Sequence, residues 1–304
     1  MNELTAACFE SLCAEQPVSE QLAALEENRA AALRKFWLYL AVALVLAPAC
    51  AWTCVTQGWP TAGVILGIAL FIIPLALGIG ALSEAGEALK RPVLERIAAR
   101  AGLEFMENGF SPPVYPLARK ALFGGWLSSE NFSDLFFGKD EEGRGYAVYE
   151  AKLQRRSGKN THTVFTGQIY AIERRPRGGG ETAIVPDRGI FNWFKPAGGM
   201  ERVKLDATDE EFERRFEVYS TAPVEAKSLL MDLELRRLLL DLRKGGRALA
   251  WFDSENALVA AWGKDRFEAG SMFRRVEGRD RIRAMLDDVC DALGTLRRLK
   301  AKLG

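Results

Sequence analysis

Between Phe36 and Ser83 the chain contains no Asp, Glu, Lys or Arg. As a single helix that stretch would run about 70 Å at ~1.5 Å per residue, more than twice the roughly 30 Å hydrocarbon core of a bilayer. Two spans of about 20 residues fit instead, and Gln57-Gly58-Trp59-Pro60 supplies the break between them. The pattern therefore predicts two transmembrane helices, about 36–56 and 61–82. Trp37, Tyr39, Trp52 and Trp59 fall near their ends, at the depth amphipathic rings favour. A buried helical hairpin of a soluble protein is the competing reading, but soluble cores seldom run so far without a charge. Residues 1–35 are largely polar and precede the apolar run, the wrong order for a cleaved signal peptide.

Helical spacing continues on both sides. Residues 1–35 read as a cytoplasmic helical arm, with Ser19 as cap and Leu22, Leu25, Arg29 and Leu33 at helical intervals. Residues 83–102 read as a helical stalk, with Leu82, Ala85, Leu89, Val93 and Ile97 in line, Pro92 as a kink or restart and Gly102 as terminator. Ser111-Pro112-Pro113-Val114-Tyr115-Pro116 breaks regular structure and begins the folded domain, assigned to residues 103–304.

Within that domain the period turns to strand from about Gly145. Residues 145–155 and 161–174 flank a turn at Ser157-Gly158-Lys159-Asn160. Short strands are expected at 182–185 and 202–205. Thr208-Asp209-Glu210-Glu211 fits a capping box for a short helix carrying Phe212 and Phe216 inward, with a strand-like exit at 217–220. Pro223 suits the first turn of a helix whose Leu229, Leu230, Leu233, Leu238 and Leu242 form an apolar face up to Gly245-Gly246. A second hairpin joins 248–252 to 257–262 through Asp253-Ser254-Glu255-Asn256. A last helix from about Arg279 to Leu303 carries Ile282, Leu286, Val289, Leu293 and Leu296 as its buried stripe. The expected fold is α+β: a two-helix transmembrane hairpin followed by a cytoplasmic antiparallel-sheet domain with helices.

Charge sets the expected orientation. Arg29, Arg34 and Lys35 precede the first span, Lys90, Arg91, Arg96 and Arg100 follow the second, and the connecting turn has no charge. Positive flanks stay cytoplasmic, so the expectation is a multi-pass protein of the cell inner membrane with both termini inside. Pro48 and Pro74 are candidate kinks, and Gly63, Gly67 and Gly78 allow close helix contact. The spans hold no ionisable residue to mark an ion or proton path, which disfavours a transporter.

Composition narrows the chemistry. The 304 residues include 41 Lys+Arg against 40 Asp+Glu, so no nucleic-acid partner is expected. One histidine, His162, excludes a two-imidazole site, and no G-x-S-x-G turn supports it as a catalytic base. Cys50 and Cys54, one turn apart, read as packed small apolar residues, and Cys8, Cys13 and Cys290 complete no disulfide framework. Asp140-Glu141-Glu142 reads as a solvated turn, as do the acidic positions Asp287, Asp288 and Asp291 as a solvated helix face. Gly178-Gly179-Gly180 lacks either phosphate-loop pattern. No catalytic, cofactor-binding or metal-binding residue is assigned, and no cofactor is expected.

One series of segments has a familiar order. Val164-Phe165-Thr166-Gly167-Gln168 is followed by a strand, then by Phe212-Glu213-Arg214-Arg215-Phe216-Glu217-Val218-Tyr219-Ser220, by Pro223-Val224-Glu225-Ala226 with a Leu-rich helix, and by Asp265-Arg266-Phe267-Glu268 after a hairpin. Over about residues 20–275 the chain resembles the bacterial membrane-protein family of the domain of unknown function 3137 type. The resemblance implies two hydrophobic helices ahead of a cytoplasmic α+β domain. It implies no activity and no site residues. Ala222 departs from the pattern, since an Asp there would better cap the following helix.

Arg155, Arg156 and Lys159 lie near one hairpin, and Arg174, Arg175 and Arg177 follow its partner strand. Antiparallel pairing is expected to bring the two groups together as one edge for contact with anionic lipid. The expected function is that of a membrane-anchored cytoplasmic binding or scaffold protein. Its partners would be the lipid bilayer and a protein partner, with a homo-oligomer formed through the anchors. The alternative is a membrane-bound enzyme with an unidentified cytoplasmic active site.

Overall fold

A computed structural model describes residues 16–124, 126–176, 178–187, 199–205, 210–263, 266–267, 273 and 279–304. The chain divides into two compact units, residues 1–94 with 267–287 and residues 95–266 with 288–304.

In the first unit the apolar stretch folds as a helical hairpin. Helix α1 spans Gln16–Thr56 and helix α2 Pro60–Arg100. Each is 41 residues long, continuous through Pro48 in α1 and through Pro74 and Pro92 in α2. The turn between them closes on Gly58 at φ 81°, with Trp59 N–H donating to Cys54 O at 2.8 Å. The helices run antiparallel and close. A Cβ on Gly63 would sit 2.7 Å from that of Cys54, and one on Gly78 3.3 Å from the Cα of Phe36. Small residues are what permit this approach; Ala43 and Ala47 lie buried in α1. At the polar end Arg29 pairs with Glu26, Nε to Oε2 at 2.8 Å.

The second unit is built on one antiparallel sheet. Its strands are β1 Glu104–Met106, β2 Ser129–Lys139, β3 Gly145–Ser157, β4 Asn160–Glu173, β5 Thr182–Pro186, β6 Glu201–Val203, β7 Phe216–Ser220, β8 Ala248–Phe252 and β9 Asn256–Trp262. Among the described residues they lie in the order β1-β2-β3-β4-β9-β8-β5-β7-β6. The β8–β9 turn is fixed as expected: Asp253 Oδ1 accepts Glu255 N–H at 2.8 Å, and Asp253 N–H donates to Asn256 O at 2.9 Å.

One face carries the apolar core. The register aligns Tyr149, Ile169 and Ala260, and beside them Leu153 and Phe165. Onto them packs helix α3, Tyr115–Phe123, through Tyr115, Ala118, Ala121, Leu122 and Phe123. Residues 111–114 are irregular as expected, and the unexpected helix begins at Tyr115, because Pro116 stands in its first turn, where a missing N–H costs nothing. Tyr149 O–H donates to Pro113 O at 2.9 Å, fixing the approach to α3. Burial pushes the Tyr149 phenol well above its usual range.

Strand β2 was not legible either, and its bulge explains why. Asp134 sits at φ 56° where the β2–β3 register shifts. The phase of alternation changes there, so Phe132, Leu135 and Phe137 all meet the core despite their uneven spacing.

The opposite face is covered by helices at one end. Helix α4 is Glu210–Arg215, and its Phe212 ring lies 4.9 Å from that of Phe216, as their spacing suggested. The expected long helix from Pro223 is two: α5, Pro223–Leu230, and α6, Leu233–Lys244. The chain restarts because Asp232 caps α6, accepting Glu234 N–H at 2.8 Å and Leu235 N–H at 3.2 Å. Helix α7, Arg279–Leu303, buries Leu286, Val289, Leu293, Leu296 and Leu299. Lys300 Nζ stands 3.8 Å from the Tyr146 ring centroid. Tyr170 is buried here; burial, outweighing Arg266 and a hydrogen bond with Thr295, pushes it up to about 12.

Candidate functional site

On the face opposite α3, the row of Tyr146 and Val148 gives way toward the β3–β4 turn to the polar side chains Glu150 and Lys152. Register places Ser133 opposite Glu150 and Glu150 opposite Gln168, with Asn131, Lys152 and Thr166 forming the next row. An open cleft of about 530 Å³ lies here, lined by Asn131, Ser133, Glu150, Lys152 and Thr166 among others.

Glu150 anchors the cleft. It is buried, and its Oε1 accepts Gln168 Nε2–H and Arg266 N–H, each at 2.8 Å. The carboxylate therefore ties β3 to β4 and to the segment after β9. Gly167 makes the crossing possible. Its φ is 144°, and a Cβ would lie 2.2 Å from Ala261 O. The Thr166-Gly167-Gln168 motif thus combines a backbone contact only glycine tolerates with the amide that holds Glu150. At the rim, Glu130 is neutralised by Arg119 of α3, Nε to Oε1 at 2.8 Å. Sequence reasoning missed this cleft because two of its walls depend on β2. The signal that could have found it was the acidic and basic pair Glu150 and Lys152 inside a strand otherwise alternating with apolar residues.

A second cleft, about 270 Å³, lies near the start of α5 and the cap of α6. Lys302 of α7 bonds Glu234 and lies 3.4 Å from Asp232 Oδ2. Burial raises the Asp232 carboxyl, but the Leu235 and Glu234 N–H groups and Lys302 outweigh it, so it lies below its usual range. Gly180 belongs to this rim, packed so closely that a Cβ would sit 2.2 Å from that of Ala222.

The basic residues are not gathered at one edge. Arg155 pairs with His162 near the β3–β4 turn, whereas Ile172 pairs with Tyr146 at the far end of the same hairpin. At ~3.3 Å per residue the two groups stand about 35 Å apart along β4. Antiparallel pairing brings together the ends of successive strands across a turn; Arg174 follows the other end of β4. Arg155 donates to Phe123 O at 2.8 Å and to Trp126 O at 3.3 Å. Arg156 donates to Gly158 O within its own turn, and Lys159 is exposed. Arg174 is buried, donating to Asp253 O at 2.9 Å with its guanidinium over the Phe252 ring. Arg175 is paired with Glu142. Arg177 lies outside the described residues, as do Thr208, Asp209, Asp265, Glu268, Cys8 and Cys13.

His162 is exposed on β4. The Asp140 turn is closed by its own carboxylate, which accepts Arg144 N–H at 2.9 Å and Glu142 N–H at 3.0 Å. Among the described residues no three His, Cys, Asp or Glu side chains are grouped to hold a metal ion.

A comparison with curated proteins finds no match. Among solved structures, the crystal structure of the mycobacterial trehalose monomycolate transport factor A, TtfA, aligns with TM-score 0.35 and 11% identity, over 68% of this chain and 96% of that chain. Residues 163–300 match the family model of a protein of unknown function, DUF3137, so the likeness read from the order of motifs is shown for the segment from β4 to α7.

Proposed function

We propose that the protein is a membrane-anchored binding protein: α1 and α2 cross the inner membrane, and the sheet domain on the cytoplasmic side takes a ligand or partner at the Glu150 cleft. The observation that carries this reading is the exposure of the uncharged hairpin. Val45, Trp52, Ile65, Ile72 and Leu77 each expose more than half of their surface, and the two apolar windows are only 11% and 17% buried. In water so large an apolar surface would aggregate or seek a partner; in lipid it is satisfied. The cleft adds an open site whose polar groups come from three strands fixed in register.

The test is co-purification in mild detergent, comparing the natural chain with Thr166→Trp, which fills the cleft from β4. A stoichiometric companion recovered with the natural chain and lost with the variant is the expected result. Equal recovery with both would remove the cleft from the reading, and a chain that stays monodisperse without detergent would remove the anchor.

A further inference from the structure

A charge asymmetry surrounds the β3–β4 turn. No Asp or Glu occurs from Ala151 to Ile172, nor from Asn108 to Ser129. The structure brings these two acid-free segments side by side: Arg155 donates to the Phe123 and Trp126 carbonyls, and Ser128 N–H donates to Gln154 O at 2.8 Å. Arg155, Arg156, Lys159 and, on the open side of α3, Lys120 therefore share one end of the domain. The nearest carboxylate in sequence, Glu130, is already paired with Arg119.

Two apolar side chains stand exposed in the same place. Trp126 is 67% exposed and Leu117, one turn before Lys120 on α3, is 57% exposed. An indole beside several guanidinium and ammonium groups suits the boundary between headgroups and acyl chains. The cations meet phosphate, and the ring enters the interface.

We infer that this end of the domain, with Trp126 and Leu117 as apolar contacts and Lys120, Arg155, Arg156 and Lys159 as cations, is a docking surface for anionic phospholipid. It rests on the membrane-anchored reading, because the hairpin keeps such a bilayer at high local concentration. A tethered surface needs little affinity of its own: each cation near an anionic leaflet strengthens association about fivefold, and tethering multiplies the result. Arg174 and Arg175, held by their own partners at the far end of β4, take no part.

Lysine acetylation rates of the full chain test the inference. The chain is incorporated into nanodiscs of purely zwitterionic phosphatidylcholine or of phosphatidylcholine with one-third phosphatidylglycerol. The reporters are Lys120 and Lys159; Lys139 and Lys244 serve as distant controls. The expected result is that anionic lipid slows both reporters at least about threefold, that 0.5 M salt reverses the effect on the screening length of roughly 4 Å, and that the controls do not change. The double variant Trp126→Ser, Arg156→Glu should abolish the slowing. Both side chains are exposed, and Arg156 bonds only within its own turn among the described contacts. Equal reporter rates in the two lipids overturn the inference, as does equal slowing in both, which would place an uncharged contact there. A chain that enters the discs yet shows equal rates refutes only the docking surface; a chain that fails to enter them refutes the anchor and the surface together.

Discussion

Gly167 shows how much a single residue carries. Its backbone lies where L side chains are strained, and the space a methyl would fill holds Ala261 O. Gly167→Ala is expected to lower stability by about 1–3 kcal/mol from backbone strain alone, with more from the clash. The measurement is the thermal unfolding midpoint in detergent, and an unchanged midpoint would refute the argument. Gln168 is the complementary case. Its amide donates to the buried Glu150 carboxylate, and a hydrogen bond to a charged group contributes about 1.5–3 kcal/mol. Gln168→Leu keeps the volume and removes the donor, so a loss in that range is expected from denaturant unfolding, while Gln154→Leu on the neighbouring strand should change little. The motif order that marked residues 164–168 was readable without the structure. The reason for it was not, because Gly167 meets Ala261 across the β4–β9 pairing and Gln168 reaches Glu150 across the β3–β4 pairing, contacts that the motif itself does not contain.

Elements followed the pattern wherever its period was unbroken. The β3–β4 and β8–β9 hairpins, the paired apolar helices and the Leu-rich last helix lie where alternation or helical spacing placed them. Failures came where a local device resets the period. The bulge at Asp134 hid β2, Pro116 in a first turn hid α3, and the Asp232 cap divided one expected helix into α5 and α6. The last device is testable through pH. The Asp232 carboxyl is held below its ordinary value of 3.8. A lowered folded-state pKa stabilises the fold above the unfolded value, and that contribution is lost as pH falls through the lowered one. Asp232→Ala should therefore cost about 1 kcal/mol at pH 7. The gap between variant and natural chain should narrow below pH 4, as protonation removes the same interaction from the natural chain. Unfolding midpoints at pH 7 and pH 3 measure this, and a gap that widens on acidification would contradict it.

At the scale of the molecule the decisive feature is the long helical hairpin. Helices of 41 residues run about 60 Å at ~1.5 Å per residue, roughly twice the hydrocarbon core. The excess lies on one side, since the turn at Gly58 falls in the middle of the uncharged stretch while Arg29 and Arg34 of α1 and Lys90 and Arg96 of α2 lie toward the other ends. On the proposed reading of this hairpin as a membrane anchor, its charge asymmetry favours one orientation, with the charged ends retained in the cytoplasm and the neutral turn outside. The hydrophobic pattern gave the two apolar helices, but not that they continue unbroken through three prolines and seat Gly63 and Gly78 against α1. Orientation can be read by labelling. In a chain whose five cysteines are replaced by serine, Trp59→Cys should react with a membrane-impermeant maleimide added to spheroplasts. Lys244→Cys, on an exposed side chain of α6, should react only after permeabilisation. The reverse pattern would place the sheet domain outside. Reaction of both positions in intact spheroplasts would mean that the hairpin does not span the membrane, leaving its apolar surface to be covered by another chain.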